Sequence, residues 1–391
     1  MPPASLCYNS LWSAMKPKHV SIYVHIPFCA RRCPYCDFNT YAWRGSIVHD
    51  TLQAICSHIE STHARDVVVP TIFFGGGTPS FPDPEGIIRI LDTIRSRFNV
   101  LPDAEISIEA NPGTTDRARY AILRQAGFNR LSMGVQSLDD QLLQVLGRIH
   151  TAGEAIGSFE AARRAGFENI NIDLMFALPG QTMQQWQRTL RMAITLQPEH
   201  ISCYSLTIEP NTPFYTLHRR GQLNLPDEET DLRMYLYAIR ALTRAGYEHY
   251  EISNFAKPGY RCRHNIVYWL NEEYLGFGPG AVSYWQGVRW KCLSNPRRYI
   301  QAVRDGLSLV EEEEQLDTSA SLGETIMLML RLREGVDVRA VEERYGVNLT
   351  QRYAHQLKRL RRLRLLEVTP ERWRITPKGL AIANTICAEF L

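Results

Sequence analysis

Three cysteines lie within eight residues near the start of the chain, at Cys29, Cys33 and Cys36. Thiolates are soft ligands, and thiols clustered in this way suit a metal centre better than a packed core. Three protein ligands around a cubic iron–sulfur cluster would leave one iron open, and an open iron can bind a small molecule through an amine and a carboxylate. The spacing Cys-x3-Cys-x2-Cys therefore predicts a metal centre with an open coordination site.

Three other interpretations compete for the same cysteines. Buried free thiols fit poorly, because Arg31, Arg32 and Pro34 interrupt the run. A disulfide would leave one thiol over, and nothing in the sequence marks a secreted protein. A zinc site is the serious rival, since His25 precedes Cys29 by four residues and would complete a tetrahedral set.

Length and composition allow a large domain with a smaller one attached. The chain has 391 residues, 45% of them hydrophobic, and its formal charge of +3 is too small to indicate a nucleic-acid partner. The nine cysteines form an odd set without paired spacing, which favours a reducing compartment. Residues 1–19 carry neither a signal peptide nor a membrane span, so they predict a flexible N-terminal arm, with the true start at Met1 or Met15.

Short β-rich segments alternate with longer helical patterns over the first half of the chain. The predicted strands are 20–26, 67–74, 104–110, 129–136, 168–175 and 199–206. The predicted helices are 47–62, 84–98, 116–126, 153–165, 183–196 and 227–245. Six βα units in succession predict a parallel sheet with right-handed crossovers.

The predicted strands alternate apolar and polar residues, although covered parallel strands usually read as continuous apolar runs. In the fifth strand, for example, Ile172 and Leu174 flank Asp173, and the first, third and fourth strands show the same period of two. A period of two places each polar set on one face. The pattern therefore predicts a curved sheet whose concave face lines a polar ligand cavity.

Candidate binding groups follow the carboxyl ends of successive strands, where the loops of such folds build their sites. The cysteines follow the first strand, and a glycine-rich loop, Gly75 to Thr78, follows the second. Glycines let the backbone approach a ligand and present its amide groups. Glu109, Gln136 and Asp173 end the next three strands. A structural hydrogen bond would explain any one of these polar residues. Their position at the ends of successive strands is better explained by a common binding site at that edge of the sheet.

The cysteine spacing after one strand and the glycine loop after the next resemble the radical S-adenosylmethionine (SAM) superfamily. The resemblance implies that Cys29, Cys33 and Cys36 hold a 4Fe–4S cluster and that SAM chelates the fourth iron. It also implies that an electron from the cluster can cleave SAM to a 5′-deoxyadenosyl radical, the protein's part being to position the cofactor and exclude water.

Six ordered motifs resemble the oxygen-independent coproporphyrinogen III dehydrogenase (HemN-type) group more closely. They begin at Tyr23, Gly75, Glu109, Gly134, Leu146 and Asp173. Carried over by motif, the residues expected to contact SAM are Tyr23, Tyr35, Gly77, Thr78, Glu109, Gln136, Arg148 and Asp173. Carboxylates can accept hydrogen bonds from ribose hydroxyls, and Arg148 or Gln136 can donate hydrogen bonds to a carboxylate.

Two features separate the chain from the dehydrogenases and resemble the HemW branch of haem chaperones. Phe38 stands where the dehydrogenases have a further cysteine, and the element His264-Asn265-Ile266-Val267-Tyr268-Trp269 is associated with haem binding in that branch. Imidazole is a good axial ligand for haem iron, so the resemblance makes His264 the expected haem ligand, with Cys262 a less supported one. Relatives often have histidine where this chain has Val282.

The composition changes beyond about residue 295. Glu311 to Glu314 predicts a solvated acidic linker, and helical patterns follow at 320–333, 337–345 and 349–364. A short strand at 373–375 and a last helix capped by Thr376 complete the pattern. The basic run from Lys358 to Arg364 predicts a solvated helix face with its leucines inward.

These features predict an α/β fold: a flexible arm at 1–19, a partial (β/α)6 radical SAM barrel at 20–294, and a small, mainly helical, winged-helix-like domain at 295–391. The expected function is to bind haem and deliver it to acceptor haemoproteins while carrying a SAM-bound 4Fe–4S cluster. The alternative is an enzyme that decarboxylates the propionates of coproporphyrinogen III. The expected partners are haem, acceptors that include membrane-associated haemoproteins, and a second copy of the chain in a homodimer. Nucleic acid is not an expected partner, and the expected location is the cytoplasm.

Overall fold

A large sheet with seven neighbouring parallel strands organises the first part of the chain. The structure, a computed structural model, describes residues 18–43, 45–62, 64 and 67–391. In chain order the strands of this sheet are β1 (Lys18–His19), β2 (Ser21–Ile26), β3 (Val67–Gly76), β4 (Asn99–Ala110), β5 (Arg130–Gln136), β6 (Ile170–Phe176), β7 (His200–Ser205), β8 (Glu248–His249), β9 (Asn254–Ala256), β10 (Tyr274–Phe277), β11 (Val282–Trp285), β12 (Val288–Cys292) and β13 (Val310–Gln315).

The strands β2 to β7 are adjacent and parallel, as the sequence predicts. The sheet order is β13-β12-β11-β10-β2-β3-β4-β5-β6-β7-β9-β8, with β1 beside β3. Because β10 pairs parallel with β2, a seventh parallel strand extends the predicted six. The chain thus has an α/β fold with a mostly parallel sheet.

Ten helices accompany this sheet in the described residues. They are α1 (Ser46–Ser61), α2 (Pro84–Arg97), α3 (Arg117–Gln125), α4 (Asp140–Val145), α5 (Ala152–Arg164), α6 (Met183–Thr195), α7 (Pro213–Arg219), α8 (Glu228–Arg244), α9 (Arg263–Trp269) and α10 (Pro296–Asp305). The six predicted helices match α1, α2, α3, α5, α6 and α8 to within one or two residues at each end. Local chemistry sets some of these starts: Thr151 and Thr182 form capping boxes with Glu154 and Gln185.

The predicted period of two is confirmed. Ile170, Ile172 and Leu174 of β6 are fully buried in the core between the sheet and the helices. Asn171 and Asp173, between them, face a cavity on the other side of the sheet. Apolar residues therefore fix the helices to one face and leave the polar face to line the cavity.

A second unit follows residue 316 and has its own core. It contains α11 (Thr318–Met329), β14 (Val336–Asp337), α12 (Val338–Tyr345), α13 (Leu349–Arg352), α14 (Ala354–Arg362), β15 (Leu366–Val368), β16 (Arg372–Ile375), a 3-10 turn (Gly379–Ile382) and α15 (Ala383–Ala388). The four helices α11 to α14 precede a β-hairpin of β15 and β16, and β14 pairs with β16, which gives the winged-helix-like form that the resemblance implies. Trp373 is fully buried at the centre of this unit.

The predicted domain boundary at residue 295 is wrong, because 296–315 belong to the first unit. Tyr299 and Ile300 of α10 pack in the core of the large sheet. The acidic segment at 311–314, predicted as a linker, is instead strand β13, paired antiparallel with β12. Lys291 and Arg289 on β12 form ion pairs with its glutamates, which lets an acidic sequence serve as an exposed edge strand.

Two terminal predictions also need correction. Lys18 and His19, assigned to the flexible arm, pair with β3, whereas residues 1–17 lie outside the described part of the chain. The hydroxyl of Thr376 does accept a hydrogen bond from the backbone of Gly379, at 3.1 Å. However, the segment begins with a 3-10 turn, and the α-helix starts only at Ala383.

Candidate functional site

The cysteine loop follows β2 and is tied down at several points. The backbone nitrogen of Cys29 donates to the carbonyl of Tyr41 (3.0 Å), and the amide of Asn39 donates to the carbonyls of Pro279 (2.9 Å) and Ser294 (3.0 Å). His25 reaches into the loop through Nε2, which lies 3.0 Å from the carbonyl oxygen of Asn39. These contacts hold the loop over the carboxyl ends of the strands.

The glycine-rich loop after β3 packs directly against the cysteine loop. The backbone nitrogens of Gly77 and Thr78 donate to the carbonyls of Ile26 (2.9 Å) and Phe28 (2.8 Å). A Cβ atom on Gly77 would lie 2.6 Å from the carbonyl oxygen of Phe28. Glycine at this position is therefore what permits the two loops to touch.

The two loops and the polar face of the sheet enclose one cavity of about 450 Å³. This volume lies within the range of roughly 300–1,000 Å³ found for small-molecule sites. All three cysteines line the cavity, together with seven of the eight residues expected to contact SAM: Tyr23, Tyr35, Gly77, Glu109, Gln136, Arg148 and Asp173. The eighth, Thr78, is buried beneath the lining, and its hydroxyl donates to the sulfur of Cys29 at 3.7 Å.

Arg148 connects the cysteine loop to the sheet. Its Nη1 donates to the sulfur of Cys33 at 3.5 Å, while its Nη2 donates to the carbonyl of Gly134 (2.6 Å) and to the side chain of Asn111. These three hydrogen bonds occupy donors of the guanidinium that the sequence resemblance assigns to SAM. Arg148 is thus placed to orient Cys33.

Gln136 ends β5 with a φ of 66°, in the left-handed region, next to an irregularity in the pairing of β5 with β6. Such backbone strain in a residue other than glycine is often found at binding sites. The bend turns its side chain into the cavity.

Two carboxylates share the cavity wall. Burial, together with the nearby Asp173, raises the pKa of Glu109 to about 8, and Glu109 accepts a hydrogen bond from the backbone of Gly76 at 3.2 Å. Burial also raises the pKa of Asp173, although hydrogen bonds from Ser132 (3.2 Å) and Asn171 (2.8 Å) oppose the rise. Both side chains can accept hydroxyl groups of a ligand.

The cysteines fit a metal cluster better than a single ion. Burial raises the pKa of the Cys29 thiol to about 11 and also raises that of Cys36, so a bound cation is needed to hold these groups as thiolates. Within the described ranges, no three side chains of His, Cys, Asp and Glu come close enough to hold one metal ion. A cubane spreads its thiolates over separate irons, so it suits more widely spaced ligands.

His25 does not complete a zinc site in the structure. Its Nδ1 lies 2.9 Å from the hydroxyl of Tyr23, and its Nε2 is bonded to Asn39, so both ring nitrogens have protein partners. Its role is to support the cysteine loop.

The element that contains His264 is the short helix α9, which packs on β3 and against α11 and contributes His264, Asn265 and Tyr268 to the cavity lining. Glu105 of β4 anchors its first turn, accepting hydrogen bonds from the backbone nitrogens of Arg263 and His264, both at 3.1 Å. The imidazole of His264 is 1% exposed and stacks on Phe73 at 5.2 Å between ring centroids. Cys262 is fully buried beside Glu105 and does not line the cavity.

Sequence reasoning missed several polar residues of the cavity. One follows β4, and the others lie on the faces of β5, β6 and β7 that line the cavity. They are Asn111, Arg130, Ser132, Asn171, Ser202 and Tyr204. The period of two already placed Arg130, Ser132 and Asn171 on the polar face. That pattern alone did not distinguish a ligand contact from a structural hydrogen bond.

Comparisons with known proteins agree with this geometry. Residues 23–193 match the radical SAM superfamily, and residues 317–382 match the HemN C-terminal domain. The chain is 37% identical to the heme chaperone HemW of Bacillus subtilis over 95% of its own length and 99% of that protein. It is 41% identical to the heme chaperone HemW of Escherichia coli over 73% of its length and 78% of that protein.

Among solved structures, coproporphyrinogen III oxidase (HemN) of Escherichia coli, a radical SAM enzyme, superposes with a TM-score of 0.83 at 25% identity. The match covers 96% of this chain and 91% of that one. The match covers 99% and 78% of the two HemW proteins, and this coverage, together with the shared fold and the cysteine-lined cavity, identifies the family. The chain belongs to the HemW family of the radical SAM superfamily.

Proposed function

We propose that this protein binds haem and hands it to acceptor haemoproteins while carrying a SAM-bound 4Fe–4S cluster. The main support is that one cavity is lined by Cys29, Cys33 and Cys36 at one end and by the expected haem ligand, His264, on its floor. Relatives of nearly the same length are named heme chaperones.

In this proposal Cys29, Cys33 and Cys36 hold the cluster. The residues proposed to contact SAM are Tyr23, Tyr35, Gly77, Thr78, Glu109, Gln136, Arg148 and Asp173. When bound, the cluster would supply a one-electron reductant for SAM. The chain's own residues set the environment: Thr78 and Arg148 donate hydrogen bonds to the sulfurs of Cys29 and Cys33, and such bonds tune the redox potential of a cluster.

Haem binding by His264 is supported by the orientation of its ring. A metal-binding histidine usually donates its second ring nitrogen to a fixed oxygen, and Nδ1 of His264 lies 2.8 Å from the hydroxyl of Thr71. Nε2 then remains to bind iron, although it now lies 2.9 Å from the hydroxyl of Tyr268. Loading with haem therefore requires Tyr268 to give up this hydrogen bond.

The second candidate function is oxidative decarboxylation of coproporphyrinogen III. The close structural likeness to the HemN oxidase favours it. Phe38, which lines the cavity mouth and is 63% exposed, weighs against it, because the dehydrogenases have a cysteine at this position by the sequence resemblance. We therefore rank delivery of haem above decarboxylation of coproporphyrinogen III.

Two assays on one anaerobically reconstituted sample test the proposal. In the first, haem-loaded protein is mixed with apomyoglobin, a generic acceptor, and we expect the Soret band of holomyoglobin to appear faster than from protein-free haem added at the same buffered concentration. In the second, SAM, a reductant and coproporphyrinogen III are supplied, and we expect no protoporphyrinogen. Formation of protoporphyrinogen without any haem binding would reverse the ranking.

The expected partners and the cellular location of the protein follow from the same proposed function. We propose acceptors that include membrane-associated haemoproteins, a homodimer, and a cytoplasmic location. Within the described residues, no helix is both long and apolar enough to cross a membrane. Cross-linking of the loaded protein and cell fractionation test the dimer and the location.

A further inference from the structure

The cavity floor contains an arginine without an ionic partner. Arg130 is the first residue of β5, is 2% exposed, and lines the same cavity as the cysteines. Its Nε is fully buried without a hydrogen-bond partner, and its guanidinium forms no ion pair with any residue in the described ranges. A guanidinium remains charged in proteins. Nearby negative groups offset its desolvation and raise the pKa of Arg130, but they act through space and leave its hydrogen-bond donors without an anionic partner among the described residues.

Three carboxylates act on Arg130 through space, those of Glu105, Asp173 and Glu109, and each is already held by other donors. Glu105 accepts from the backbone of Arg263 and His264, both at 3.1 Å, and from the thiol of Cys262 at 3.6 Å. Asp173 accepts from Ser132 and Asn171. Glu109 accepts from the backbone of Gly76 at 3.2 Å. Within the described ranges, none of the three carboxylates forms a hydrogen bond or an ion pair with Arg130.

Arg130 also lies far from the cysteines along the strand. Gln136 lies six positions further along β5, which corresponds to about 20 Å of extended chain. The carboxylate of SAM is expected at the cluster, near the opposite end of the cavity. The partner that Arg130 lacks is thus a different anion, and a planar guanidinium fork matches a carboxylate in two parallel hydrogen bonds.

We propose that Arg130 binds a carboxylate arm of the ligand that enters this cavity, and that this arm is a propionate of a tetrapyrrole. The inference rests on the proposed function, because haem carries two propionates. It adds a specificity-determining contact on β5 that acts apart from the iron ligand.

The affinities of the wild-type protein for haem and for haem dimethyl ester test this contact without any mutation. The ester keeps the macrocycle and the iron but has no anionic propionate. We expect the wild-type protein to bind haem about tenfold or more tightly than the ester, as the loss of a charge-assisted pair implies. The measurement is a Soret titration of the full chain with each compound in the same detergent.

Variants of Arg130 assign the preference to this residue. Arg130→Gln should weaken haem binding by about tenfold or more and bind haem and its ester equally, while Arg130→Lys should retain part of the preference. Arg97→Gln is the matched control, since Arg97 also has a buried unpartnered Nε but lies outside the cavity. This control should bind both compounds as the wild type does.

The outcomes separate the two proposals. Equal affinity of the wild type for haem and ester, or a preference that survives in Arg130→Gln, would overturn the carboxylate site and leave haem binding intact. A wild type that binds neither compound would overturn the haem proposal and this inference with it. If Arg130→Gln does not fold, Arg130→Lys decides the question, because an undiminished preference for haem over the ester in that variant would overturn the site.

Discussion

The imidazole Nδ1 of His264 lies 2.8 Å from the hydroxyl oxygen of Thr71. Because Thr71 donates its own hydrogen to Ser21 (2.8 Å), Nδ1 carries the ring proton and Nε2 carries the lone pair. Burial lowers the pKa of His264 to about 3, so the ring is neutral at physiological pH. The hydroxyl of Tyr268 then donates to Nε2, the nitrogen that a haem iron would take.

Removing this competing hydrogen bond should strengthen haem binding. We expect Tyr268→Phe to raise the affinity for haem by about two- to tenfold, since it removes one hydrogen bond that loading must break. His264→Ala should lose the Soret shift of histidine ligation. Tyr274→Phe, one ring further from the imidazole, is the control and should titrate as the wild type does. A normal Soret shift in His264→Ala would show that another residue ligates the iron.

Each of the three cysteines proposed to hold the cluster should be required for iron binding. Cys29→Ala, Cys33→Ala and Cys36→Ala should each reduce the iron that anaerobic reconstitution incorporates from about four atoms per chain to less than about one. Cys56→Ala is the control, because that thiol is buried on α1 outside the cavity. Iron analysis and the visible absorption of the cubane are the measurements. Full iron content in any of the three variants would remove that cysteine from the ligand set.

Asp173→Asn should weaken SAM binding by about tenfold, because a carboxylate accepts ribose hydroxyls more strongly than an amide does. Calorimetric titration of the reconstituted protein with SAM measures the effect. Asp231→Asn is the matched control: Asp231 also accepts from a serine of the sheet, Ser205, at 2.9 Å, but lies outside the cavity. An equal loss of SAM affinity in both variants would indicate a general effect on the fold and would contradict the proposed contact.

Glu109 should make the protein less stable as the pH rises. Burial raises its pKa from 4.5 to about 8, so between these values the folded protein holds a proton that the unfolded chain has released. The free energy of unfolding must then fall with rising pH across this window. We expect Glu109→Gln to remove about 4 kcal/mol of that decline between about pH 5 and about pH 9. Urea unfolding at both pH values measures it, and parallel curves for the two proteins would contradict the prediction.

The contact between the glycine loop and the cysteine loop should not tolerate a side chain. Gly77→Ala places a Cβ 2.6 Å from the carbonyl oxygen of Phe28, so the cysteine loop must shift. We expect a loss of at least about 1 kcal/mol of stability and impaired reconstitution of the cluster. Gly157→Ala in α5, where a Cβ meets nothing within 4 Å, should instead stabilise by about 0.5–1 kcal/mol. Thermal unfolding of both variants tests the contrast.

Local patterns in the sequence were enough to predict the central part of the fold. Alternating residues such as Ile172, Asp173 and Leu174 gave both the strand and the face on which its carboxylate lies, because side chains on a strand alternate with a period of two. The cysteine spacing and Gly77 gave the candidate site, since they fall directly after strands whose carboxyl ends meet at one rim. The acidic run at 311–314 was misread because its pairing partner, β12, supplies the basic residues from elsewhere in the chain.

The chain by itself determined which residues face the cavity and which of them bear thiols and carboxylates. Only the tertiary structure decided what each polar group already contacts. It gave both nitrogens of His264 a partner and anchored α9 through Glu105. It also left the buried Nε of Arg130 without a hydrogen-bond partner among the residues that the structure describes. These contacts join residues far apart in sequence, so their distances depend on how the strands and helices pack, which no local pattern specifies.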